Sequence, residues 1–125
     1  GGRYVLRRLT RAAELLTPSA VVKLREVAER YQGKPYDLAF GWSDDAIYCS
    51  ELVWKVCQQA LGLEVGKRQQ LRDFRLDDPV VKALMQKRYH GKPPLDETVV
   101  SPSAVFDSPL LTTIDTGRAA SRPKR

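Results

Sequence analysis

Cys49 is the residue best suited by type and position to do chemistry in this chain. The apolar pattern that follows it predicts that it lies in or just before the first turn of a helix. The unpaired amides and the positive dipole end of that turn stabilise a thiolate, which is a nucleophile, and the same amides can hold an oxyanion. The alternative is that Cys49 is a small buried hydrophobic side chain, as most free cysteines are.

The second cysteine, Cys57, lies eight residues further along the same predicted helix. Packing on the apolar face explains it, because the dipole effect has faded at mid-helix. Eight helical residues separate the two Cα atoms by about 12 Å, whereas a disulfide needs them within roughly 7 Å. Both thiols are therefore predicted to be free, which fits a reducing compartment and equally fits a protein that keeps a reactive cysteine.

Polar and aromatic residues flank Cys49 in two segments, 33–37 (Gly-Lys-Pro-Tyr-Asp) and 48–53 (Tyr-Cys-Ser-Glu-Leu-Val). Tyr36 either faces the site or packs against the helix. Asp37 either orients Tyr36 or caps the loop that follows. For Glu51 a structural role is favoured, because the dipole stabilises a carboxylate in the first turn of a helix without any catalysis.

His90 is the single histidine of the chain. It ends a predicted third helix, where the favourable C-terminal dipole accounts for it. A general base must lie within hydrogen-bond reach of its nucleophile. Nothing in the pattern brings His90 near Cys49, so we expect it not to be the base. Two cysteines and one histidine without ligand spacing also predict no metal site, and no cofactor motif is present.

The spacing of apolar residues and the positions of capping residues, proline and glycine predict the elements that position Cys49. Segment 3–9 predicts a strand, and Thr17-Pro18 begins a helix that stops at Gly33. Loop 34–46 ends in a cluster of capping residues, 43–45, and a second helix follows up to Gly62. The buried face of this second helix is expected to comprise Leu52, Val53, Val56, Cys57, Ala60 and Leu61, and that of the first Val21, Leu24, Ala28 and Tyr31.

The C-terminal third of the chain contains weaker signals. Asp77-Asp78-Pro79 predicts the start of the third helix, which stops at Gly91. Segment 101–106 predicts a short helical turn, and 110–114 a brief terminal strand. Residues after Asp115 are predicted to form a disordered basic tail, 115–125.

Length and charge narrow the function classes. With 125 residues and 42% hydrophobic content, the chain suffices for one core. Its formal net charge is +6, but the tail holds four basic residues against one acidic residue. Three scattered pairs of basic residues, Arg7-Arg8, Lys67-Arg68 and Lys87-Arg88, lie outside the tail and lack interleaved aromatic residues. A solvated surface is therefore favoured over specific nucleic-acid binding. No run approaches the ~18 uncharged apolar residues of a membrane span.

Three separated segments, 33–37, 48–53 and 94–103 (Pro-Leu-Asp-Glu-Thr-Val-Val-Ser-Pro-Ser), resemble the NlpC-type papain-like amidases. The amino-acid sequence of segment 48–53 is most similar to that of the circularly permuted, YiiX-like branch of the superfamily. The resemblance spans most of residues 4–114. It implies an α+β, papain-like, circularly permuted domain over residues 1–114, with helices packed on a small antiparallel sheet.

The resemblance implies a cysteine-dependent hydrolase or acyltransferase. Cys49 would accept the acyl group as a thioester, and the Tyr36 hydroxyl would face the site. Asp37, Tyr48, Ser50 and Glu51 match only as supporting motif positions. The implied substrate is an amide in a peptide or peptidoglycan-like polymer, or a lipid ester or amide, in the bacterial cytoplasm or envelope. Neither the choice among these substrates nor the oligomeric state is decided by the sequence.

One departure from the family pattern concerns the base. In the permuted branch the histidine strand precedes the cysteine helix, yet no histidine precedes Cys49, and the chain begins at Gly1 rather than at methionine. We therefore expect an upstream segment carrying the histidine to be missing and this chain alone to be inactive. The alternative function is a non-catalytic interaction domain that keeps the fold and binds an anionic surface through its basic tail.

Overall fold

The computed structural model describes residues 2–38, 40–74 and 94–118, together with the single positions 79, 82, 83, 86 and 89. Most of the predicted third helix, including His90, lies outside the described residues, as does segment 119–125. The segments that flank Cys49 and the whole of segment 94–103 fall within them.

The described elements follow one another as β1 (Arg3–Leu9), α1 (Ala12–Leu15), α2 (Pro18–Arg30), α3 (Cys49–Leu61), β2 (Gln69–Gln70), a 3₁₀ turn (Leu71–Asp73), β3 (Thr98–Val99), α4 (Pro102–Phe106) and β4 (Leu111–Arg118). The predicted strand 3–9, both helices flanking loop 34–46 and the short helical turn after Ser101 are confirmed. The short elements α1, β2 and β3 were not predicted, because so few residues carry no detectable period.

Two helix starts are set by a hydroxyl cap followed by proline. The Thr17 side chain accepts a hydrogen bond from the Ala20 amide at 3.2 Å, and Ser101 accepts one from the Ala104 amide at 3.0 Å. Proline follows each cap, where its fixed φ suits the helix and its missing N–H is not needed. These starts are therefore local properties of the sequence.

Strands β1 and β4 form an antiparallel ladder that runs from Arg3 opposite Arg118 to Leu9 opposite Leu111, with one bulge after Leu6. The predicted terminal strand is thus confirmed but extends further. The expected disorder from Asp115 onward is wrong for 115–118, which continue β4. Their backbone pairs with residues more than 100 positions away, and no local pattern signals such pairing.

The apolar core lies between α2 and α3. The predicted membership of the packed faces is only partly correct, because Val53 and Val21 are exposed and Ala28 is exposed as well. Val27 takes the buried place on α2 that was assigned to Ala28. The buried cluster comprises Val27, Tyr31, Ile47 and Ala60, against which Leu24, Leu52, Val56 and Leu61 pack.

Helix α3 buries a second face, which the sequence did not predict. Glu51, Trp54 and Lys55 are all buried there. The indole N–H of Trp54 donates to the carbonyl oxygen of Gly66 at 3.1 Å. At Gly66 the φ of +111° and the 3.2 Å approach of Val105 to a hypothetical Cβ leave room for glycine alone. A helix buried on two sides is held rigidly, which fixes the position of its first residue, Cys49.

The architecture combines these helices with two separate two-stranded antiparallel sheets, β1–β4 and β2–β3. This confirms the α+β class. No helix within the described ranges is long and apolar enough to cross a bilayer.

Candidate active site

Cys49 is the first residue of α3, as the sequence predicted, and it is exposed. The residue before it, Tyr48, is the N-cap, with extended backbone angles of φ −107° and ψ 163°. The predicted capping cluster 43–45 therefore does not begin the helix. At the other end Gly62 closes α3 with φ 68°, in the left-handed conformation that glycine adopts readily. Cys49 thus stands where the helix dipole is most positive.

Two side chains flanking Cys49 clamp the backbone of a single residue, Val100, at both its N–H and its C=O. The Ser50 hydroxyl donates to the carbonyl oxygen of Val100 at 2.6 Å, and the Tyr48 hydroxyl accepts from the amide of Val100 at 3.2 Å. Val100 is completely buried. The clamp fixes the start of α3 against the segment that follows β3. Ser50 and Tyr48 therefore act as anchors on either side of the thiol.

Glu51 also anchors the first turn of α3. Its Oε1 accepts from the backbone amide of Tyr48 at 3.2 Å, which satisfies a donor at the helix start. Its Oε2 forms an ion pair with the ammonium of Lys55, with 2.8 Å between the oxygen and the nitrogen. Both side chains are buried. This is the structural role that the sequence favoured for Glu51.

Burial shifts the pKa values of this cluster. It raises the pKa of Glu51 above its ordinary value, and the bonds from Lys55 and Tyr48 only partly offset it. Burial alone would lower the pKa of Lys55, but its bonds to Asp44 and Glu51 outweigh burial and raise it. Burial also raises the pKa of the Tyr48 phenol, which therefore stays protonated at neutral pH.

The loop between α2 and α3 brings Tyr36 close to the start of α3. The Ile47 amide donates to the Pro35 carbonyl at 3.0 Å, and the Asp37 amide donates to the Ile47 carbonyl at 3.2 Å. These bonds close the loop at its base, two residues before Cys49. Tyr36 is 57% exposed there, so it is not a packing residue. Asp37 is nearly buried, and its charge contributes to the raised pKa of Tyr48 and Glu51.

Phe40 is an aromatic residue of this loop that the sequence did not single out. Its φ of 53° is unusual for a side-chain-bearing residue. Its ring meets the Tyr48 ring edge-on at 5.4 Å between centroids. Phe40 thus lies against the N-cap of α3.

A groove of about 490 Å³ opens beside Cys49. It brings together the predicted residues Cys49, Tyr36, Tyr48 and Ser50, whereas Asp37 and Glu51 do not line it. Most of its lining is apolar, so the thiol faces a surface suited to an apolar group. The full lining is Tyr36, Phe40, Tyr48, Cys49, Ser50, Leu71, Phe74, Val99, Val100, Ser101 and Pro102.

Cys57 differs from Cys49 in its surroundings. It was expected to be buried but is only half-buried, because it lies beside the packed stripe of α3 and not at its centre. Burial nevertheless raises the pKa of its thiol. Both cysteines are free, as predicted.

Lys55, Trp42 and Trp54 were missed by sequence reasoning. The ammonium of Lys55 lies 4.8 Å from the centre of the Trp42 ring, and the two indole rings meet edge-on at 5.3 Å. The spacing of Glu51 and Lys55, four apart on one helix face, was an available signal for an ion pair. Such pairs are usually solvated, so the spacing could not show that this one is buried.

A family model described as the permuted papain-like amidase enzyme, YaeF/YiiX, C92 family, matches residues 1–115. The chain belongs to this permuted papain-like amidase family. The prediction from segments 33–37, 48–53 and 94–103 is therefore confirmed, and the fold described above is that of a family member.

The relatives of this amidase-family chain include the uncharacterised protein YiiX of Escherichia coli K12. The two are 53% identical over 113 residues, which make up 90% of this chain and 54% of YiiX. The chain thus spans about half the length of the curated relative it matches. Among solved structures it resembles a yiiX protein from Escherichia coli O157:H7, with a TM-score of 0.84 and 50% identity over 94% of this chain and 63% of the other.

The solved relative is described as a metalloprotein. In the part of this chain that the structure describes, the His, Cys, Asp and Glu side chains form no group of three or more that could hold a metal ion. The described residues therefore do not fit a metal, and no chemical step is assigned to one here. His90 falls outside the described residues and is not assigned to this site.

Proposed function

We propose that this amidase-family chain carries the nucleophile of a cysteine-dependent hydrolase or acyltransferase, with Cys49 as the acyl acceptor. The observation that carries the proposal is the exposed thiol at the start of α3, facing a groove shared with Tyr36. First-turn amides support a thiolate and can bind the oxyanion that forms when it attacks a carbonyl.

The proposed reaction proceeds through a thioester. The sulfur of Cys49 attacks the carbonyl carbon, the bond to nitrogen or oxygen breaks, and the leaving group takes up a proton. Water or another acceptor then attacks the thioester, releases the acyl group and restores the thiol. The apolar lining of the groove supports a substrate with an apolar group next to the scissile carbonyl.

An amide substrate needs a further group. The departing nitrogen must receive a proton, which helix amides cannot supply as an acid. The sequence predicts that the histidine for this role lies outside this chain. We therefore propose that the 125-residue chain forms the acyl adduct with activated substrates but does not turn over amides.

The test is acylation by an activated ester, whose phenolate leaves without a proton donor. The chain is incubated with p-nitrophenyl acetate at neutral pH and analysed by intact mass and peptide mapping. We expect one acetyl group on Cys49, absent from Cys49→Ala and retained in the matched variant Cys57→Ala. Acetylation that persists unchanged in Cys49→Ala, or none in the wild type, contradicts the proposal.

A further inference from the structure

Lys55 makes a dense set of contacts for a residue with no assigned role. Its side chain is only 6% exposed. Its ammonium donates to the carbonyl oxygens of Trp42 at 3.2 Å and Ser43 at 3.1 Å, and to Asp44 Oδ1 at 2.8 Å. The three protons of an ammonium are thus directed at three oxygens of one loop segment, 42–44.

The charge of Lys55 is balanced within α3. Glu51, one turn earlier and 0% exposed, lies 2.8 Å from the ammonium. A buried cation without a counter-charge would cost several kcal/mol, so Glu51 allows the ammonium to stay in this position. Glu51 in turn caps the start of α3 through the Tyr48 amide.

The loop held by Lys55 is the loop that forms one wall of the groove. Residues 36–47 are closed at their base by the bonds between Pro35, Asp37 and Ile47, and they carry Tyr36 and Phe40. The far side of the loop is held by Lys55 and by the Trp42 amide, which donates to Glu97 Oε1 at 3.1 Å. The groove is also lined by Cys49, which lies on the same helix as Lys55.

We propose that Lys55 is a positioning residue for the groove: by tying loop segment 42–44 to α3, it sets the place of the aromatic wall relative to Cys49. This inference rests on the proposed function, because it concerns how a substrate group is held beside the acyl-accepting thiol. Lys55 does not line the groove and acts through Tyr36 and Phe40.

The experiment compares two alkylating reagents on Cys49 in the full chain. Iodoacetamide needs only the thiol, whereas 2-iodo-N-phenylacetamide also places a ring in the groove. Their rate ratio at Cys49 reports the geometry of the groove, and hydrogen exchange of residues 41–47 reports the attachment of the loop. We expect Lys55→Met to displace the loop that carries Tyr36 and Phe40 by about 1 Å. The alkylation rate of Cys49 with 2-iodo-N-phenylacetamide, relative to that with iodoacetamide, should then fall on the order of tenfold, and hydrogen exchange in the loop should become faster.

A second variant guards against simple unfolding. Lys55→Met leaves Glu51 buried and unpaired, so the double variant Glu51→Gln/Lys55→Met removes both charges and keeps the cap acceptor. We expect the double variant to show the same lowered ratio and faster loop exchange while its iodoacetamide rate stays within about threefold of wild type. A wild-type ratio and wild-type loop exchange in the folded double variant would overturn the inference.

A matched control completes the design. Lys23→Met removes an exposed lysine from α2, so it should retain the wild-type ratio. If Lys23→Met lowers the ratio equally, the effect is one of net charge and the inference is wrong. If wild-type Cys49 reacts with neither reagent, the proposed function fails, while loop exchange still decides whether Lys55 holds the loop.

Discussion

Cys49 and Cys57 lie on one helix and differ in the properties that govern thiol reactivity. Cys49 is exposed at the N-terminus, whereas Cys57 is half-buried at mid-helix, where burial raises the pKa of its thiol. We expect iodoacetamide at neutral pH to label Cys49 at least about tenfold faster than Cys57, as peptide mapping over time will show. Equal, slow labelling of both residues would leave Cys49 a structural cysteine.

Ser50 illustrates a motif residue whose role is anchoring. Replacing Ser50 with alanine leaves the buried carbonyl of Val100 without the hydroxyl that now donates to it at 2.6 Å. We expect Ser50→Ala to lower the free energy of unfolding by about 1–3 kcal/mol, measured by urea denaturation. Ser103→Ala, on the exposed side of α4, should change it by less than about 0.5 kcal/mol. Equal effects of the two variants would show that the clamp contributes nothing.

At the scale of elements, α3 owes its fixed start to interactions that the helix itself supplies. Tyr48 and Ser50 hold the backbone of one residue, Val100, in the segment after β3, and Glu51 caps the helix backbone while pairing with Lys55. A helix start normally frays, because its first amides lack partners. Here the start is clamped from both sides, which keeps the thiol in one place.

Glu51 makes the stability of α3 depend on pH. Its raised pKa means that the folded chain binds this proton more tightly than the unfolded chain does. Its contribution is therefore full below the ordinary carboxyl pKa and is lost as pH rises through the raised value. We expect the unfolding free energy of the wild type, relative to Glu51→Gln, to fall in urea titrations as the pH rises above the ordinary carboxyl pKa of about 4.3.

A difference that grows over the same pH range would contradict that assignment. Glu51→Ala serves as the companion variant, because it also removes the acceptor of the buried Tyr48 amide. It should be about 1–3 kcal/mol less stable than Glu51→Gln at every pH tested.

At the scale of the whole molecule, the chain presents an exposed thiol, which we propose is a nucleophile, and a groove beside it, while the general base is predicted to lie elsewhere. The chain covers 54% of E. coli YiiX, so a base supplied by the remainder of such a protein is compatible with the comparison. Exposed apolar side chains on the β1–β4 ladder, Val5 and Leu6 among them, leave both faces of that ladder accessible to further structure.

This arrangement predicts the behaviour of His90. We expect His90→Ala to leave the alkylation rate of Cys49 within about twofold of wild type. A chimera that adds the part of E. coli YiiX not covered by this chain should gain amide hydrolysis, measured by release of p-nitroaniline from an acyl anilide. Amide hydrolysis by the 125-residue chain that is abolished in His90→Ala would show that His90 is the base and that the predicted upstream histidine is wrong.

The sequence by itself determined the features set by neighbouring residues. Helix ends are defined by contacts between residues a few positions apart. Thr17 and Ser101, each a capping residue followed by proline, begin helices, and Gly62 ends one. The position of Cys49 at a helix start and the family resemblance of its flanking segments are likewise properties of short stretches.

Only the tertiary structure decided which residues meet across the chain. The buried Glu51–Lys55 pair, the clamp on Val100 and the continuation of β4 through 115–118 all depend on partners that are distant in sequence or on burial supplied by other elements. Periodicity assigns charged residues to solvent and polar strand ends to disorder, because it registers only the local pattern of side chains. The groove beside Cys49 is lined by four separate segments of the chain, so its shape could not be predicted from any one of them.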